Sequence, residues 1–166
     1  MKKIILFLVA LCFTLSSCEK DDICDPATST TPNLIVTFYD AASPTTTKNV
    51  TSLAIVDAVT SNIYGTFSSI SKIKVPLNPM STVAKYKFIL NYGNLDPTLV
   101  YEAQLEFNYS TQNRYVSRAC GFKTIYELED NTPTLTPATT ANWIQQLNVE
   151  TTSITDENTT HIKIYF

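Results

Sequence analysis

Ser-His-Asp chemistry needs a nucleophile, a base and an orienting group to converge, and the chain has one histidine through which any such triad would have to run. In the terminal run His161-Ile162-Lys163-Ile164-Tyr165-Phe166, period-2 alternation sets His161 beside Lys163 and Tyr165 on one strand face. The expected role is an outward strand residue. Glycosidase chemistry needs two carboxyl groups about 5 to 9.5 Å apart. Glu102 and Glu106, four residues apart on a strand, would stand roughly 13 Å apart, which is too far. Glu127 and Glu129 would stand about 6.6 Å apart, within range, but Glu-x-Glu ahead of Asp130 is also how a solvated strand end reads. Asp156-Glu157-Asn158 could give some of the roughly six to eight oxygens that Ca²⁺ takes. Three adjacent polar residues equally make a turn. The three glycines stand alone at 65, 93 and 121, so no phosphate-cradling loop exists. The chain therefore reads as a non-enzyme with no cofactor, no catalytic residue and no metal.

The cysteines carry the clearest chemistry. Lys2 and Lys3 precede an apolar run from Ile4 to Leu15, the form of a secretion signal. That run falls short of the about 20 residues a membrane-spanning helix needs, so it reads as a cleaved leader. Leu15-Ser16-Ser17-Cys18 resembles the bacterial lipobox, in which the cysteine receives a thioether lipid before cleavage. The expectation is a leader over residues 1–17 and lipidation at Cys18; an ordinary signal peptide is the alternative. Glu19-Lys20-Asp21-Asp22 is too charged for a core and must lie in water. It resembles the export tag that sends Bacteroidetes lipoproteins to the cell surface, with a solvated, periplasm-facing tether as the alternative. Cys12 leaves with the leader and Cys18 takes the lipid, leaving Cys24 and Cys120 in an oxidising compartment, which suggests one disulfide. Zinc is the rival reading, though no Cys-x-x-Cys pair exists and His161 is distant in sequence from both cysteines.

These residues must be held by a domain built from the rest. Without residues 1–17, ten bases face 15 acids, a net charge of −5 that argues against nucleic acid. Residues 18–32 are polar and Pro-punctuated and read as the lipidated spacer, with one domain over 33–166. Leu34 to Tyr39 is a β-branched and aromatic run ahead of a turn-prone stretch; Ser52 to Val59 and Ser69 to Val75 are weaker strands. Tyr86, Phe88, Leu90 and Tyr92 alternate with Lys85, Lys87 and Asn91. From Leu99 to Tyr109 the odd positions are apolar and the even ones mostly polar, the signature of a half-buried antiparallel strand. Ser110 to Asn113 is expected to turn the chain into a hairpin partner at Arg114 to Phe122. Residues 130–142 read as a Thr/Pro loop, and final strands are expected at Trp143 to Thr151 and His161 to Phe166. Eight or nine short strands without a helical period predict an all-β, antiparallel two-sheet β-sandwich. Immunoglobulin-like topology is the default and a closed lipocalin-type barrel the alternative.

The segments Cys18-Glu-Lys-Asp-Asp-Ile-Cys24, Leu34-Ile-Val-Thr-Phe-Tyr-Asp40, Ala119-Cys120-Gly121-Phe122 and His161-Ile-Lys-Ile-Tyr-Phe166 together resemble an uncharacterised Bacteroidetes lipoprotein family, DUF6452. The resemblance implies that Cys24 pairs with Cys120 and that the protein sits in the cell envelope; it implies no activity. The expected function is a non-catalytic binding or assembly module, lipid-anchored at the outer membrane and surface-exposed, whose partner is another envelope protein such as a β-barrel. The alternative is a surface glycan-binding accessory protein that uses Trp143 or Tyr165 as stacking platforms.

Overall fold

The computed structural model describes residues 23–137 and 142–166. The chain divides into two compact units, Met1–Thr28 with Tyr115–Phe122, and Ser29–Arg114 with Lys123–Phe166. Among the described residues eleven strands run in chain order: β1 (Leu34–Tyr39), β2 (Leu53–Asp57), β3 (Ile63–Phe67), β4 (Lys72–Val75), β5 (Val83–Leu90), β6 (Tyr101–Ser117), β7 (Gly121–Leu128), β8 (Thr134–Pro137), β9 (Gln146–Val149), β10 (Ser153–Ile154) and β11 (Ile162–Tyr165).

The larger unit is a β-sandwich. One sheet has the order β4-β1-β11-β9; the other runs β10-β7-β6-β5-β2-β3, with β8 also paired to β6. Both sheets are open, so the closed-barrel alternative falls. Pairing is antiparallel except between β1 and β11, which run parallel with Val36 opposite Ile162 and Phe38 opposite Ile164. β1 is buried from Leu34 to Phe38 on both faces, as its unbroken apolar run requires. β5 and β6 alternate instead: Tyr86, Phe88, Ala103, Leu105, Phe107 and Tyr109 are buried. On the opposite face Lys85 pairs with Glu106 at 2.8 Å and Lys87 with Glu102 at 2.9 Å. These carboxylates, on one strand face as their spacing dictates, are cross-strand salt-bridge partners.

Three buried tyrosines clasp the connection from β4, in one sheet, to β5, in the other. The hydroxyls of Tyr86, Tyr126 and Tyr109 donate to the carbonyls of Pro76, Leu77 and Asn78 at 2.5, 3.0 and 3.0 Å. Burial raises the pKa of all three phenols above the ordinary 10, so they remain donors across the physiological range. The three bonds engage three successive carbonyls of the crossover.

Several boundaries differ from expectation. The chain does not turn at Ser110 to Asn113: β6 continues to Ser117, and the turn falls at residues 118–120. Ser-Thr-Gln-Asn is polar but holds no residue that must break a strand, whereas Gly121 adopts a φ of +69°, which an L side chain adopts only at a cost. β3, β8 and β10 are additional strands, and β9 begins at Gln146 rather than Trp143. The last residues of the expected spacer make contacts in the larger unit. Lys123 Nζ donates to Ser29 Oγ, the Thr124 N–H donates to Thr31 Oγ1, both at 3.0 Å, and Pro32 is buried. Residues 29–32 are therefore part of the sandwich unit.

Candidate functional site

His161 faces inward, contrary to expectation. It is 1% exposed, its Nδ1 accepts the Ile35 N–H at 2.8 Å, and its own N–H donates to the Ile35 carbonyl at 3.0 Å. β1 and β11 are parallel here, and the ring closes their shared end. Burial lowers its pKa below the usual 6.5, against the opposing pull of the Asp156 charge, the Asp156 backbone and Glu157. An imidazole with its ring nitrogen committed to a backbone N–H is a structural acceptor.

Glu157 is engaged as well. Its Oε1 accepts from the Asn33 N–H and Nδ2 at 2.8 and 2.7 Å, and its Oε2 pairs with Lys74. Desolvation would raise this carboxyl, but the Lys74 and Asn33 hydrogen bonds outweigh it and hold its pKa below the ordinary value. The Asp156 side chain accepts the Asn158 N–H at 2.8 Å, a turn contact. Among the described residues no cluster of three or more His, Cys, Asp or Glu side chains could hold a metal. Glu127 accepts the Thr152 hydroxyl on an exposed strand face, and Glu129 lies beyond the end of β7.

The stacking-platform expectation is overturned by burial. Trp143 is 8% exposed, donates from Nε1 to the Phe88 carbonyl at 3.1 Å and packs edge-on against Phe166 at 5.4 Å. Tyr165 is 8% exposed and lies 5.5 Å from the Tyr39 ring. Aromatic faces occupied by the protein itself cannot stack on a ligand.

The smaller unit assembles what the sequence reading treated separately. Cys24 and Cys120 are joined in a disulfide, Cα to Cα 4.8 Å, that fastens residues 23–28 to the turn after β6. Pro26 sits in a tight turn where Thr28 N donates to the Asp25 carbonyl and Ala27 N to the Asp25 carboxylate, at 2.8 and 2.9 Å. The Ser117 hydroxyl accepts the Cys120 N–H at 3.0 Å. Around the disulfide lies a hollow of about 440 Å³ lined in part by Ile23, Tyr115 and Arg118. Tyr115 and Phe122, 5.4 Å apart edge to face, are 59% and 69% exposed, and Ile23 is 81% exposed. Sequence reasoning missed this patch. Its signal was present in an aromatic on each strand next to Cys120, but placing the turn at 110–113 removed the hairpin that brings them together. Cys18, Glu19, Lys20, Asp21 and Asp22 lie outside the described residues.

The larger unit is an all-β sandwich of two open sheets, and in the smaller unit the Cys24–Cys120 disulfide closes onto the turn after β6. The chain belongs to DUF6452, a family of unknown function whose sequence model matches residues 49–166. No curated protein and no solved structure matches it.

Proposed function

We propose that the protein is a lipid-anchored envelope protein, cleaved after Ser17, lipidated at Cys18 and acting as a non-catalytic binding or assembly module. Its partner on this reading is another envelope protein, a β-barrel of the outer membrane first of all, and the acidic tag Glu19 to Asp22 favours the outer face of that membrane. The observation that carries the binding role is β3, an edge strand of the large sheet. Edge strands are ordinarily blunted by lysine, proline or a covering loop, because their unpaired backbone groups template further pairing. Ile63-Tyr64-Gly65-Thr66-Phe67 has no charge and no proline, and Ile63 and Tyr64 are 50% and 52% exposed. Val59, in the turn before it, is exposed too. An extended segment of a partner could add here as a further strand, drawing main-chain hydrogen bonds from the edge and side-chain contacts from Ile63 and Tyr64. A photo-crosslinking side chain placed at exposed Thr66 in intact cells tests this. The expected result is a crosslinked envelope protein; recovery of monomer alone overturns it.

A further inference from the structure

Among the described residues of the smaller unit, the large exposed apolar side chains lie beside the disulfide. Tyr115, Phe122 and Ile23 turn outward there, and the tip's described residues carry one cation, Arg118, and one anion, Asp25, for no net charge. A neutral surface that presents an aromatic hydroxyl beside apolar rings is the composition that partitions into the boundary between lipid headgroups and acyl chains. The length of chain beyond the tip selects that occupant. Only residues 19–23 separate Cys18 from Cys24, so even fully extended they reach about 20 Å. The disulfide passes this short restraint directly to Cys120, two residues from Phe122.

We infer that the tip formed by Ile23, Tyr115, Phe122 and the Cys24–Cys120 disulfide is a membrane-interface foot, its rings seated at the headgroup level of the bilayer that holds the Cys18 lipid. The inference rests on the lipid-anchor reading above. The lipid supplies one attachment point, and the foot supplies a second contact of the same unit with the bilayer. Because the foot is neutral, its seating is independent of ionic strength, unlike that of a polybasic patch.

The test uses the full chain processed in cells and reconstituted into vesicles of three parts phosphatidylethanolamine to one part phosphatidylglycerol. One arm follows incorporation of labelled palmitate at Cys18, with Cys18→Ala as the blank. The other reads quenching by acyl-brominated lipid in a Phe122→Trp variant, with the native protein, whose tryptophan is Trp143, as the baseline. The expected result is palmitate on Cys18 and loss of the greater part of the added tryptophan's emission, undiminished in 0.5 M salt. Palmitate with no added quenching overturns the foot and leaves the anchor standing. A blue shift that grows with protein concentration but not with brominated lipid assigns the patch to a second copy of the chain and also overturns it. Absence of palmitate overturns the anchor reading itself. Tyr115→Trp repeats the measurement from the other strand, so a folding defect in one variant does not decide the outcome.

Discussion

Replacing Cys24 and Cys120 by serine separates two accounts of what the disulfide does for stability. In the folded protein Cys24 sits in a short exposed segment, residues 23–28, that contributes no residue to the hydrophobic core. An account based on native contacts gives such a staple less than about 1 kcal/mol, the scale of one or two exposed hydrogen bonds. The unfolded chain gives a different figure. The bridged cysteines are 96 residues apart in sequence, and closing a loop of that length removes conformational entropy worth about 4.7 kcal/mol in the chain-entropy model. At about 3 °C per kcal/mol for a chain of this size, the double serine variant should melt roughly 14 °C lower. Urea unfolding of oxidised, reduced and double-variant protein, followed by Trp143 fluorescence, measures this. Reduced and double-variant protein should share a midpoint well below that of the oxidised form. A difference below about 1 kcal/mol would refute the entropic argument.

His161→Leu leaves the Ile35 N–H buried without its acceptor and should cost about 1–3 kcal/mol in urea unfolding at pH 7.5. The native protein should also lose stability as pH falls below the unfolded histidine value of about 6.5, because its lowered folded pKa makes the unfolded chain take up the proton first. The loss should level off below the folded pKa, and its component in this window should be absent in His161→Leu. Glu157 has the complementary window: its lowered pKa stabilises the fold above the ordinary carboxyl range, and that contribution fades as pH falls through the folded value, a fade that Glu157→Gln should remove. Tyr126→Phe strands the buried Leu77 carbonyl and should cost about 1 kcal/mol in the same assay, with the strands unchanged by far-ultraviolet circular dichroism. Phe88→Ala, at a wholly buried position, should cost about 3–5 kcal/mol.

Where burial was one-sided, the strands were legible from sequence. The alternation through Lys85 to Leu90 and Tyr101 to Tyr109 placed the core residues and their salt-bridged outer face, because a half-buried antiparallel strand writes its geometry into period two. Long-range packing hid His161. Alternation puts His161 on the face that carries Lys163, which does stay at the surface paired with Glu150, but His161 lies at the end of β11, where its ring closes onto the Ile35 N–H of β1, 126 residues away. The same long-range packing took Trp143 and Tyr165 out of solvent. The turn between β6 and β7 follows backbone conformation rather than polarity: Gly121, at a φ of +69°, marks it, whereas the polar run Ser110 to Asn113 stays extended. The bridge between Cys24 and Cys120 was legible from counting cysteines and from the family resemblance. The aromatic foot beside it became visible only once the hairpin's true turn was known. β3 carries too little alternation, with Gly65 at its centre, to announce an edge strand.

The central claim is that the domain is held against a membrane through Cys18, and the mass of the mature protein isolated from its own envelope tests it most directly. The account predicts a chain beginning at Cys18, heavier than its polypeptide by a thioether-linked diglyceride, with release arrested by an inhibitor of lipoprotein signal peptidase. A mature chain that begins elsewhere, or one that begins at Cys18 with an unmodified thiol, would contradict it.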